Sequence, residues 1–206
     1  MKKFYFLLLT LTLVSPALYA HAQSVDILWQ GEVYTSPFYK GRSLWSNQSR
    51  ITFLAIPQGL GASASLNYKW SRNGTVLGNI NGIGKSTLTL TDSILSKPQT
   101  IRVEVVSVGG GVAASTSTVV TPITPIVAIY ENNPLYGYTF HRETSGTHTL
   151  REREITFSVF PLFFSIPNRS DTAISYQWRT NAGGLETSNS VTYRTPDDTA
   201  GTSEIQ

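Results

Sequence analysis

The 206-residue chain contains no cysteine, a single methionine and three histidines. Without cysteine it carries no disulfide staple, no thiol nucleophile and no thiolate-bound metal. Charge is sparse, at 14% of residues, and no block or stripe of Lys and Arg stands out. That argues against nucleic acid or an anionic membrane as partner. Long Ala/Glu/Lys/Leu stretches are missing, which excludes a coiled coil and a helical bundle. No Gly-x-Ser-x-Gly elbow is present to seat a hydrolase serine. What remains is a chain rich in Thr, Ser, Val, Ile and Tyr, the residues of pleated, half-buried surfaces.

The first residues have the order of an export signal. Lys2 and Lys3 precede an apolar run from Phe4 to Val14, Ser15-Pro16 breaks it, and Ala20-His21-Ala22 offers small residues for cleavage. The run falls short of the roughly 20 residues that span a bilayer. A cleaved signal peptide over 1–22 is therefore expected, with no transmembrane span and a secreted or envelope location. Sixteen basic and thirteen acidic residues give +3, and loss of Lys2 and Lys3 leaves +1. A secreted chain without cysteine must hold its cores by packing alone.

The remainder reads as one module written twice. Tyr68-Lys69-Trp70-Ser71-Arg72-Asn73-Gly74 has a counterpart in Tyr176-Gln177-Trp178-Arg179-Thr180-Asn181-Ala182, 108 positions on. Ile51-Thr52-Phe53 with Pro57 matches Ile155-Thr156-Phe157 with Pro161, 104 positions on. Ser86–Leu90 resembles Asn189–Tyr193, and Ile27–Gln30 parallels Ala128–Glu131. The repeated unit, about 90 residues, is near the size of an immunoglobulin-type sandwich. Polar and apolar residues alternate in Thr100–Val105 and Ile155–Val159, as in strands with one wet face. Gly109-Gly110-Gly111 predicts a hairpin between Ile101–Val108 and Val112–Val120, and Asn73-Gly74 a second turn. The expected organisation is an all-β chain: a first Ig-like domain over 23–121, a Pro-containing linker over 122–126 and a second Ig-like domain over 127–206.

A Tyr-x-Trp strand, an Asn-Gly turn, a Thr-Leu-Thr-Leu strand and an Ile-x-Val-x-Val strand together resemble the bacterial Ig-like and PKD-like modules. Tyr130-Glu131-Asn132-Asn133-Pro134-Leu135-Tyr136-Gly137 is similar to a phrase of secreted two-module proteins of small-genome bacteria. The resemblance implies an envelope or surface spacer or adhesion module, and it brings no catalytic residues.

Candidate chemistry is thin. Gly78–Thr87 has a Gly-Lys-Ser, but Asn79 stands where a phosphate loop needs glycine, and a strand rather than a helix follows. His141 and His148 lack an acidic ligand set. Asp197-Asp198 with Glu186 reads as turn chemistry rather than a calcium site. A hydrolase or metalloenzyme would need folding to gather Glu131, His141 and Asp197. No catalytic residue, metal or cofactor is expected.

The aromatics carry more. Trp70 and Trp178, with Tyr68 and Tyr176, occupy positions that an Ig-type sandwich buries. Tyr34, Phe38, Tyr39 and Trp45, and in the second unit Tyr136, Tyr138 and Phe140, fall in Pro/Gly-containing stretches between strands. Such a loop either folds back as a lid, which the solubility cost of exposed aromatics favours, or offers a stacking face; on the second reading Tyr39, Trp45, Tyr136 and Tyr138 are the candidate binding residues for a glycan or a protein. Phe160 to Phe164 extend a strand apolar on both faces, which suits contact with the neighbouring module. Finally, Thr202–Gln206 resembles the opening of the strand matching Thr100–Val105. The second sandwich is expected to be incomplete at its C-terminus, so that either its edge takes a strand from an envelope or surface partner or the sequence is part of a longer protein; the alternative is a fraying tail beside a smaller complete sandwich.

Overall fold

The computed structural model describes residues 22–37, 39–91, 93, 97–107, 109–147, 153–180, 183–194 and 204–205. Within these the chain is all-β, built from antiparallel sheets, and its helical content is two single turns of 3₁₀ at Ser63–Ser65 and Gly78–Ile80. Nearly all of the expected leader, together with Phe38, His148 and Asp197-Asp198, lies outside the described residues.

The N-terminal half contains eight strands: β1 Ser24–Glu32, β2 Arg50–Gln58, β3 Asn67–Arg72, β4 Thr75–Val76, β5 Gly82–Ile83, β6 Thr87–Thr91, β7 Gln99–Val106 and β8 Val112–Val120. One sheet has the order β1-β2-β6 and the other β4-β3-β7-β8, with β5 also on β3. The chain crosses between layers after β2, after β5 and after β6, and β1 approaches β8 across the sandwich.

Local chemistry explains the turns. Asn73 (φ 50°) and Gly74 (φ 82°) both take the left-handed region that a two-residue hairpin with native twist requires, and they join Arg72 to Thr75. The glycine hairpin forms where expected: Ser107 donates to the Gly111 carbonyl at 2.8 Å, and Gly110 donates back to Ser107 at 2.9 Å. The inward positions of both sheets supply one core, in which Ile51, Phe53, Tyr68, Trp70, Leu88, Ile101 and Val103 are fully buried. Trp70 satisfies its indole N–H on the Lys85 carbonyl at 2.8 Å, so the largest apolar side chain leaves no orphan donor.

The C-terminal half contains β9 Ile126–Asn133, β10 Gly137–Tyr138, β11 Glu154–Leu162, β12 Trp178–Arg179, β13 Leu185–Glu186 and β14 Ser190–Arg194. Its larger sheet has the order β10-β9-β11-β14, and β12-β13 form a separate ribbon. β9 already begins at Ile126, the last residue of the expected linker. The core here is smaller: Ile155, Phe157, Val159, Trp178 and Val191 are buried, with Tyr176, Tyr193, Ile129 and Ile205 packed on them. Trp178 donates to the Ser188 carbonyl at 2.7 Å.

Candidate functional site

The aromatic stretch after β1 folds straight back onto that strand. Gly31 is the point of closest approach: a Cβ there would lie 2.5 Å from the Leu44 carbonyl oxygen, and its N–H donates to Ser43 at 2.8 Å. Arg42 stacks its guanidinium 4.4 Å from the Trp29 ring centroid. Trp45 then plugs the N-terminal core with 2% of its surface exposed. Its indole points into the core, so at Trp45 the stretch folds back as a lid and the ring is not a stacking face for a ligand. A tight local lock holds it. Ser46 and Ser49 are fully buried, the Ser46 N–H donates to Ser49 Oγ at 3.0 Å, and that hydroxyl donates back to the Ser46 carbonyl at 2.8 Å.

The same segment is where the two halves meet. Tyr34 donates its N–H to the Phe164 carbonyl at 2.8 Å, and Phe163 donates to the Tyr34 carbonyl at 2.7 Å. Ser46 Oγ donates to the Phe163 carbonyl at 2.6 Å. Ile123, inside the linker, pairs with Trp45 and Asn47 at 2.9 and 3.1 Å. Tyr39 meets Phe163 edge to face at 6.0 Å, and its hydroxyl donates to the Arg42 carbonyl at 3.0 Å. Phe163 takes φ 65°, a conformation that a bulky residue adopts only where its surroundings compel it.

On the C-terminal side stands a ring cluster. Phe160, 1% exposed, is met edge to face by Tyr130, Tyr138 and Phe140 at 5.2–5.5 Å. Arg169 lays its guanidinium 4.2 Å from the Phe160 centroid and donates to Tyr138 Oη at 3.1 Å. Tyr176 donates its hydroxyl to the Arg169 carbonyl at 2.7 Å. Tyr34 reaches this group from the other half: burial pushes its hydroxyl above the ordinary tyrosine value, with the Arg169 charge opposing. Burial likewise raises Tyr130 and Tyr176. Raised above the ordinary tyrosine value, these hydroxyls are neutral at physiological pH, and that of Tyr176 is held by its bond to the Arg169 carbonyl.

The four candidate binding residues therefore do not share a surface. Trp45 is core, Tyr138 belongs to the ring cluster, and Tyr39, 39% exposed, lies beside the junction. Tyr136 stands apart at the β9–β10 tip, 82% exposed beside Leu135 at 83%. The tip is rigidly made: Asn133 Oδ1 accepts the N–H groups of Leu135 and Tyr136 at 2.9 and 3.3 Å, Gly137 takes φ 70°, and Glu131 Oε1 accepts from Asn133 at 3.1 Å. Trp70, Tyr68 and Trp178 are buried, and Tyr176 is half-buried against the C-terminal core.

Sequence reasoning missed Ser46, whose hydroxyl bonds across the junction, Ser49, which holds Ser46, and Arg169, which orients the ring cluster. The Gly78–Thr87 segment is a 3₁₀ turn and short strand leading into β6, with no helix to aim at a phosphate. Glu131 is engaged by Asn133, and among the described residues no three His, Cys, Asp or Glu side chains come together. Nor, among them, is any helix long and apolar enough to cross a membrane. No family model, curated protein or solved structure matches the chain.

Proposed function

We propose that this is a non-catalytic, exported structural and interaction protein of a bacterial envelope, made of two tandem Ig-like sandwiches clasped into one unit. The observation that carries the reading is the recurrence of individual hydrogen bonds, not only of residues. Ala55 donates to Ser86 at 2.8 Å, and Val159 donates to Asn189 at 2.9 Å. Thr52 and Thr89 pair their hydroxyls at 3.2 Å, as Thr156 and Thr192 do at 2.8 Å. Both tryptophans cap a backbone carbonyl shortly before the next strand. Pro57 and Pro161 follow two residues after Ala55 and Val159, at the end of the third strand's reach, where a missing N–H removes no ladder bond. Sheet order β1-β2-β6 facing β4-β3-β7-β8 supports the Ig-like plan. Polar groups at the junction are used up in structure, which supports a mechanical rather than chemical role.

The test is export. Produced in a bacterial host from Met1, the chain is expected in the envelope or medium with a mass that starts at Gln23. A cytosolic product that retains Met1 overturns the reading. A second reading, adhesion to a carbohydrate or protein surface, is supported by the rigid Leu135-Tyr136 tip. Glycan-array or surface binding that disappears on Tyr136→Ala, at unchanged melting temperature, would favour it.

A further inference from the structure

Arg169 is a half-buried cation that faces rings instead of a carboxylate. Its guanidinium lies 4.2 Å from the Phe160 centroid and 5.3 Å from that of Tyr138. Of the five N–H groups a guanidinium carries, one is engaged by Tyr138 Oη at 3.1 Å and one by the Val159 carbonyl at 3.4 Å. Among the described residues, no acidic side chain forms an ion pair with it. The acids of the same half are placed elsewhere. Asp171 accepts the Ala173 N–H at 2.8 Å, Glu131 accepts from Asn133 at 3.1 Å, and Glu143 acts on the Tyr130 hydroxyl. A charge drawn part-way out of water is costly unless an opposite charge meets it, and ring faces offset only part of that cost.

The groups around the guanidinium are donors too. Tyr176 gives its proton to the Arg169 carbonyl at 2.7 Å. Tyr138 Oη accepts from Arg169, which leaves its own proton to give. The Tyr34 hydroxyl comes from the other half, stands in the field of Arg169, Tyr176 and Tyr138, and among the described residues has no hydrogen-bond partner. Tyr34 and Tyr138 are both half-buried, so solvent reaches them. The main-chain groups of the junction are spent, with Tyr34 bonded both ways to Phe163 and Phe164. The side-chain donors of the ring cluster are not.

We propose that Arg169, Tyr138 and Tyr34 form a binding site for a uronate, a sugar acid whose carboxylate lies against the guanidinium and whose ring hydroxyls reach the two phenols. One guanidinium balances one carboxylate and can meet it with parallel N–H groups. A phosphate dianion would bring a second negative charge, and Arg169 is the one cation acting on Tyr34. A carboxylate carried on a peptide would bring main-chain groups that need partners, and the backbone beside the site has none to offer. A sugar acid brings hydroxyls, which phenolic oxygens can both accept from and donate to. Because Tyr34 belongs to one half and Arg169 to the other, the bound sugar ties the halves together.

The test is a titration of the full chain with sodium glucuronate, and with glucose as its uncharged twin, followed at the Arg169 Nε–H and Tyr138 amide resonances. Glucuronate should give a saturable shift with a dissociation constant of about 1 mM, and glucose none. Tyr34→Phe, which removes one oxygen that has no partner among the described residues, should weaken binding about tenfold at unchanged melting temperature. Arg169→Lys, which keeps the charge and loses the planar fork, should weaken it at least about tenfold. The absence of a saturable shift, an equal response to glucose, or full affinity in Tyr34→Phe overturns the proposal. So does binding of inorganic phosphate, acetate or an acetylated and amidated glutamate as tight as that of glucuronate.

Discussion

The two halves use the same strand chemistry and reach different degrees of closure. In the N-terminal half, β7 and β8 bring Ile101, Val103, Val105, Ala114 and Val120 into the core, and most of its large side chains lose contact with water. In the C-terminal half the same tryptophan, threonine and valine contacts are made, yet among the described residues the core cluster is five residues with a fringe of half-buried neighbours. What the C-terminal half has instead is aromatic mass outside its sandwich, around Phe160 and Arg169, pressed toward the other half. Among the described residues, the N-terminal half thus rests on two apposed sheets, and the C-terminal half adds ring contacts at its strand ends.

Substituting the paired tryptophans breaks the comparison most directly. Trp70→Ala should destabilise by about 4 kcal/mol and Trp178→Ala by nearer 3 kcal/mol, because the thinner surroundings of Trp178 collapse more readily onto the space left. Urea unfolding midpoints of the two variants measure the difference, and equal losses would erase the distinction between a closed and an open core. Next comes the clasp. Ser46→Ala leaves the Phe163 carbonyl without its donor and should lose about 1–3 kcal/mol, visible in calorimetry as one transition splitting into two.

Arg169→Met should lose about 1 kcal/mol of ring contact and, by removing the opposing charge, drive the Tyr34 hydroxyl still higher in an ultraviolet tyrosinate titration. Tyr34, Tyr130, Tyr176 and Tyr193, all raised by burial, lie in or against the C-terminal half. A raised folded value favours the neutral phenol in the native state. The stability it brings is whole below the unfolded value of 10.0 and is lost as pH rises through the folded one. Thermal unfolding above pH 10 should therefore release Trp178 before Trp70, as read from their indole N–H resonances. Least of all should come Arg50→Ala and Glu154→Ala. Their ion pairs with Glu32 and Arg194 are exposed in both halves and are worth below about 0.5 kcal/mol each.

The strands and turns were legible because their signals are local. Alternation placed β7 and β11, Asn73-Gly74 marked a turn whose two positive φ angles only such residues take easily, and Tyr-x-Trp marked the buried strand of the N-terminal half and the buried Trp178 that opens β12. The lid reading allowed for a folded-back Trp45, but the way it is placed was not legible. It sits in a stretch with no period, and its burial depends on Gly31 letting the chain lie flat on β1. Ser46 and Arg169 were invisible for a related reason. A serine and an arginine in loops carry no mark of the partners they will meet, here a carbonyl and a ring on a distant strand end.

That distance has a kinetic meaning. Ser46 and Phe163 are separated by 117 residues, so joining them in a disordered chain means closing a very large loop for a handful of bonds. Once β1–β8 and β9–β14 have each condensed, the span left to close is short, and the clasp can form at little further loss of chain freedom. It is accordingly a late event in folding and an early one in unfolding, of the kind that opens without melting either half. Weakening it at Ser46 should quicken unfolding and leave the folding rate almost untouched, because its bonds are absent when the rate-limiting barrier is crossed.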